Sequence, residues 1–229
     1  PVDLVEEVAI GIGYEDLGEA TSNQSSAGVA LPKMTLHRRI RESMQGQGLQ
    51  QIQSLSLSNE GDQFDKMRNA KYGAVTRLHN PITIDHTILR QRLLPSLLRL
   101  LAANRHHELP QRVYELGTVV RDNHNRERVC WVCAEVGSGF TGAKGIAQAL
   151  LRDLGAEALS SEVEFSLIPE GEGPWLGGRG ASISVAGEIV GTIGEIDPVV
   201  GDSFELRVPI QAGEFDIEAL GRLIPDPVL

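Results

Sequence analysis

Asn80-Pro81-Ile82-Thr83-Ile84-Asp85-His86-Thr87-Ile88-Leu89-Arg90-Gln91-Arg92-Leu93-Leu94-Pro95-Ser96-Leu97-Leu98-Arg99-Leu100-Leu101 leads, through a basic turn, into Gln111-Arg112-Val113-Tyr114-Glu115-Leu116-Gly117-Thr118-Val119-Val120-Arg121. Two periodicities meet in this stretch. Leu89, Leu93, Leu97 and Leu101 recur at every fourth position, with Leu94 and Leu98 widening the apolar face, so a helix is predicted over 85–104. Tyr114, Leu116, Thr118 and Val120 alternate, so a strand is predicted over 112–122. A proline inside a helix costs about 3 kcal/mol if it breaks a backbone bond. Six leucines, at about 1.5–3 kcal/mol for each buried side chain, outweigh that cost. The expectation is a helix kinked at Pro95, or two helices meeting there, packed on a sheet.

The rest of the chain supplies that sheet. Arg128 to Val136 is predicted to pair antiparallel with 112–122 through a polar turn, Asn123 to Glu127. Further strands are expected at 51–58, 75–79, 163–168, 181–185, 189–193 and 211–217. Ala186-Gly187-Glu188 turns a hairpin, and Glu170 to Gly180 reads as a glycine-rich loop holding Trp175 and Arg179. Helices are expected from Thr35 to about residue 46, after Thr141 and after Pro198, and a short one near the end, with loops over 18–32 and in the proline-containing tail. Strands in meanders with helices against them make an α+β protein.

Composition narrows the function. At 229 residues and 41% apolar, the chain can build a substantial core. A net charge of −10 argues against generic coating of nucleic acid, which needs excess Lys and Arg. No apolar run reaches membrane-spanning length, and no leader pattern is present. Two cysteines make no disulfide framework and fit a reducing, cytoplasmic setting. The start at Pro1, already in helix-like sequence, reads as a cut from a longer chain, with helix 1–17 leading in from upstream and residues 1–229 forming one domain.

Several motifs carry candidate chemistry. Asp3, Glu6 and Glu7 share a helical face; they make either a capping box with Asp3 as N-cap or part of a divalent-cation site. Arg38, Arg39 and Arg41 make either a solvated helix face or a phosphate-facing one. The adjacent pair His106-His107 diverges by about 100° on a helix and converges poorly on a metal. Cys130 and Cys133, three apart in a strand, face opposite sides and read as small core residues. Gly137-Ser138-Gly139-Phe140-Thr141-Gly142 matches a dinucleotide fingerprint, but the strand before it closes a hairpin; the alternative is a turn with Thr141 as N-cap and Gly155 as the helix stop.

Four stretches together resemble the C-terminal part of the phenylalanyl-tRNA synthetase β subunit, of the archaeal and eukaryotic type. They are 3–14; Asn80-Pro81 with Leu89-Arg90 and 93–98; Lys144-Gly145 before Leu150-Leu151; and Gly178-Arg179, Gly187, Gly191, Ile193-Gly194-Glu195 and Pro198. The resemblance implies a class II aminoacyl-tRNA synthetase-like antiparallel β-sheet flanked by helices. It implies a catalytically degenerate module with no catalytic or cofactor-binding residues of its own, in an (αβ)₂ heterotetramer whose α subunit ligates phenylalanine to its tRNA with ATP. Active class II enzymes hold the α-phosphate with the arginine of an Arg-x-Glu strand motif. The matching strand here reads Val113-Tyr114-Glu115, with valine in that place. The second ATP-binding arginine is expected on a helix after a glycine-rich strand, where 213–220 offers acids and an acid-lined pocket that would repel ATP; Arg222 lies a little further on. The family's Mg²⁺ ligands carry over to Asp3, Glu6 and Glu7, with a further aspartate upstream of Pro1. Implied partners are the α subunit, tRNA-Phe through the holoenzyme, or a second copy of the chain, with Arg38, Arg39, Arg41 and Arg105 as candidate contacts. The rival readings are a self-sufficient ATP-dependent ligase and a dinucleotide-binding domain using Gly137 to Gly142.

Overall fold

The long hairpin of β4 (Gln111–Arg121) and β5 (His124–Ala134) is the centre of the molecule. Its strands pair antiparallel over their whole length, from Gln111 opposite Ala134 to Arg121 opposite His124. The turn is only Asp122-Asn123, shorter than the predicted 123–127. Both residues have positive φ, 51° and 60°, the left-handed pair that lets a two-residue turn follow the strand twist. The computed structural model describes residues 1–18, 28–156 and 162–224. Parts of the loop expected over 18–32, and the tail from 225, lie outside the described residues.

The described chain divides into two units, Pro1–Leu31 and Pro32–Leu229. The first contains α1 (Val2–Ile12) and a single 3₁₀ turn, Tyr14–Leu17. Pro1, not Asp3, is the N-cap of α1, and no side chain caps it. Asp3 sits one position inside the helix, so the predicted capping box does not form.

The second unit is built on a seven-stranded sheet in the order β1-β4-β5-β9-β8-β7-β6. The strands besides the hairpin are β1 (Gln50–Gln51), β6 (Val163–Leu167), β7 (Trp175–Val185), β8 (Glu188–Ile196) and β9 (Ile210–Asp216). Every pairing is antiparallel except β1 with β4. A small second sheet pairs β2 (Leu57–Ser58) with β3 (Ile88–Leu89). The predicted strand 51–58 is therefore two fragments in different sheets, and 75–79 contributes only an isolated bridge from Arg77 to Ile88. Trp175 and Arg179, expected in a loop, open β7.

Helices cover both faces. On one lie α2 (Pro32–Gly46), α4 (Phe140–Asp153) and α6 (Ile217–Leu223), packing Ile40, Met44, Leu150 and Leu220 against Tyr114, Trp131, Cys133 and Phe215. On the other lie α3 (Leu94–Ala103) and the short α5 (Pro198–Ser203), packing Leu97, Leu98, Leu101 and Val200 against Val113, Cys130, Val132 and Ala212. Cys130 and Cys133 do point to opposite faces, both buried. Helix α2 starts at Pro32, without Thr35 as cap.

Helix α3 is where the structure departs most from expectation. It is neither kinked nor 20 residues long; it starts at Leu94, with Pro95 in its first turn. A proline lacks an N–H and clashes with the carbonyl four residues back, so the helix cannot extend through it, whereas the first turn tolerates it. Leu89 instead joins β3, half-buried. The helix N-terminus is satisfied from the sheet: the amides of Leu93 and Leu94 both donate to Oε2 of Glu214 on β9, at 3.1 Å. A buried carboxylate at a helix N-terminus meets both the unpaired amides and the positive end of the dipole.

Candidate functional site

The sheet face under α3 is the place where the Arg-x-Glu and glycine-strand positions meet. Val113 on β4 is buried in the leucine cluster of α3. Glu115, two residues on and on the same face, is 0% exposed and turned to structural use. Its carboxylate accepts from Arg90 Nη2 at 2.7 Å and from Ser54 Oγ at 2.5 Å. Arg90 in turn donates to the Thr118 carbonyl at 2.9 Å and to Ser54 Oγ at 2.7 Å. Gly117 leaves room for this pair, since a Cβ there would stand 2.7 Å from the Arg90 guanidinium and 2.8 Å from the Glu115 carboxylate and one of them would have to shift.

Beside the start of α3 the same face opens into a cavity of about 840 Å³. Four arginines line it: Arg68, Arg92, Arg121 and Arg128. Tyr72 stacks with two of them, its ring centroid 3.7 Å from the Arg121 guanidinium and 4.3 Å from that of Arg92. Arg121 also donates to the Gln91 carbonyl at 2.9 Å. Burial, with the neighbouring Arg128 adding to it, pulls Arg121 down to about 10, against the opposing pull of Glu214. Arg128 donates to Asp216 Oδ2 at 2.8 Å, and Arg68 to Asp197 Oδ2 at 2.9 Å.

The expectation of an acid-lined pocket is thereby corrected. Glu214 and Asp216 do face the cavity, as their alternation on β9 requires, but guanidiniums stand against them. Sequence reasoning missed Arg68, Arg92, Arg121 and Arg128. The available signal was parity: Arg121 shares its strand face with Val113 and Glu115, and Arg128 shares its face with Cys130. Arg222 lies elsewhere, exposed and paired with Glu188 at 2.6 Å.

The other candidates lie apart. Asp3, Glu6 and Glu7 are exposed on α1. Their hard oxygen donors are of the type that suits Mg²⁺, but among the described residues no group of three or more His, Cys, Asp or Glu is gathered as a ligand set. Arg39 donates to the Asp153 carbonyl at 3.2 Å, Arg38 lies 3.9 Å from Glu42, and Arg105 pairs with Glu205. The Gly137–Gly142 turn opens α4, but Gly139 is the N-cap, and its amide donates to Gln211 Oε1 at 3.3 Å. Since β5 runs antiparallel to both β4 and β9, the parallel topology that dinucleotide binding requires is absent there.

An antiparallel sheet flanked by helices, with a long hairpin and a strand–helix unit meeting over one cavity, is the architecture of class II aminoacyl-tRNA synthetases. The pyrrolysyl-tRNA synthetase of Desulfitobacterium hafniense superimposes with a TM-score of 0.64 over 82% of this chain and 67% of its own, at 16% identity. The family model for the phenylalanyl tRNA synthetase beta chain CLM domain matches residues 20–217, and the chain belongs to that family. Phenylalanine–tRNA ligase beta subunits are 35% identical over 95% of the chain in Archaeoglobus fulgidus, 33% over 94% in Methanothrix thermoacetophila and 34% over 96% in Pyrococcus horikoshii. The chain spans 38–39% of the length of these relatives.

Proposed function

We propose that this chain is the non-catalytic core module of a phenylalanyl-tRNA synthetase β subunit, supporting assembly with the α subunit and aminoacylation of tRNA-Phe by the holoenzyme. The observation that carries the reading is Val113. Where an adenylate-forming site grips phosphate with a cation, this strand buries an aliphatic side chain under α3. Glu115 of the same motif is consumed by an internal pair with Arg90. The arginines of the neighbouring cavity hold carboxylates, carbonyls and Tyr72 of the chain itself. A self-sufficient ligase would leave such groups open to ATP.

A cytoplasmic setting belongs to the same proposal and is supported by Cys130 and Cys133, which are free thiols. So does a Mg²⁺ site to which Asp3, Glu6 and Glu7 contribute carboxylates, completed by a ligand from outside this chain. Co-expression of the protein at its natural length with an α subunit tests both. The two are expected to co-elute as a heterotetramer, with bound magnesium that falls when Glu6 and Glu7 are changed to Gln. Elution of the β protein as a self-associated species in the presence of α would overturn the assembly reading. Unchanged magnesium content in the variant would remove the metal assignment.

A further inference from the structure

The seven-stranded sheet ends at β6, and among the described residues no strand lies beyond it. β6 pairs with β7 alone, antiparallel and in unbroken register. The Ala186 amide donates to the Glu162 carbonyl and the Ile168 amide to the Gly180 carbonyl, each at 3.0 Å, which fixes the residues that bond inward. In an antiparallel pair alternate residues bond to the neighbour, and those between turn their N–H and C=O the other way. Val163, Phe165 and Leu167 therefore aim their backbone groups outward, and among the described residues no backbone group bonds them there. Natural proteins blunt such an edge with proline, a bulge or charged side chains. The three outward positions here are apolar.

Val163 and Phe165 turn their side chains to the α4 side of the sheet, where they pack on the core. A groove of about 430 Å³ runs there between β6 and α4. Its helix wall is kept low by Gly145 and Ala149, and a Cβ at Gly145 would meet nothing within 4 Å. The charge of the groove has one sign. Arg152 lines it, Lys144 Nζ stands 4.9 Å from the centroid of the Phe165 ring, and among the described residues no carboxylate lines it. Asp153, beside Arg152, accepts from Ser43 of α2 at 2.7 Å, and Glu164 faces the opposite side of the sheet. In a chain of net charge −10 this is a local inversion, and it favours an acidic occupant.

We propose that the edge of β6 and the groove beside α4 take an extended peptide segment of a partner protein, added to the sheet as a further antiparallel strand. Its backbone bonds the three outward residues of β6, and the side chains it turns toward α4 alternate acidic with apolar. The apolar ones cover Phe165 and Ala149, and the carboxylates meet Lys144 and Arg152. A second copy of β6 does not meet these terms. Paired antiparallel about Phe165, it brings only apolar side chains to the groove and turns its own Glu164 to the far face. The inference is independent of the role proposed above.

The test is fluorescence anisotropy with the protein at its natural length. The probe is a fluorescein-labelled peptide, Glu-Thr-Val-Thr-Glu-Thr-Val, whose acidic and apolar residues share one side when extended. A control peptide carries lysine in place of both glutamates. The probe is expected to bind saturably, and the control about tenfold more weakly. Leu167→Pro removes an outward N–H that β7 does not use, so it should leave thermal unfolding unchanged and weaken probe binding about tenfold. Lys144→Glu reverses a cation of the groove and should also weaken the probe, and it decides alone if Leu167→Pro shifts the unfolding. Absence of saturable binding, equal binding of the lysine peptide, or binding unchanged in both variants would overturn the proposal. A concentration-dependent dimer that Leu167→Pro abolishes would assign the edge to a second copy and overturn it as well.

Discussion

Glu115 and Arg90 form an ion pair with side chains 0% and 3% exposed, and such a pair is a liability as soon as one member is lost. Deleting one partner of a buried pair strands the other charge and costs about 3–5 kcal/mol, whereas replacing both with apolar groups of similar volume is often neutral. Glu115→Ala is therefore expected to lower unfolding free energy by about 3–5 kcal/mol. Arg90→Met combined with Glu115→Leu should recover most of that, as read by urea denaturation. A single variant as stable as the parent would show that the pair is not a structural lock. The residue scale is also where the sequence was least transparent. Glu115 could be read as half of a degenerate phosphate-binding motif, but its partner lies 25 residues away, and nothing local announces Arg90 as its counter-ion. The cavity is harder still, because Arg68, Arg121, Arg128 and Glu214 come from four separate segments.

At the scale of elements, α2 is fastened to the β4–β5 hairpin by one carboxylate. Glu127 on β5 accepts from Lys33 at 2.9 Å and hydrogen-bonds His37 at 2.7 Å, two residues one turn apart on α2. Burial pushes the Glu127 carboxyl up, but the Lys33 hydrogen bond and the neighbouring His37 outweigh it and hold it below the ordinary carboxylate range. A folded value below the unfolded one, about 4.3 for Glu, means the contribution is complete above that pH. It is lost as pH falls through the folded value. Glu127→Gln should accordingly lie below the parent in stability at neutral pH and converge with it on acidification, as followed by thermal unfolding across the pH range. A gap that stays constant or widens toward acid would contradict the clamp. The hairpins were legible from the alternation of β4 and from the polar and glycine turns between strands, although β7 begins at Trp175 and not at 181. The start of α3 was not, because the leucine spacing runs on through Pro95 while the backbone chemistry does not.

Over the whole molecule, the antiparallel α+β architecture could be read from the strand count and the turns, and the resemblance supplied the class of fold. The parallel β1 strand and the small β2–β3 sheet could not, since each strand is two residues long and carries no periodicity. The global arrangement fits the proposed reading of this fold as a scaffold. Helix α3 fills the sheet face with leucine, Glu214 fixes its start, and the arginines of the remaining cavity engage carboxylates and carbonyls of the chain itself. The most direct test is phenylalanine-dependent ATP–pyrophosphate exchange by the protein at its natural length, measured with and without an α subunit. The account predicts exchange at background level for the β protein alone and robust exchange once α is added. Exchange above background by the β protein alone, purified free of α, would contradict it.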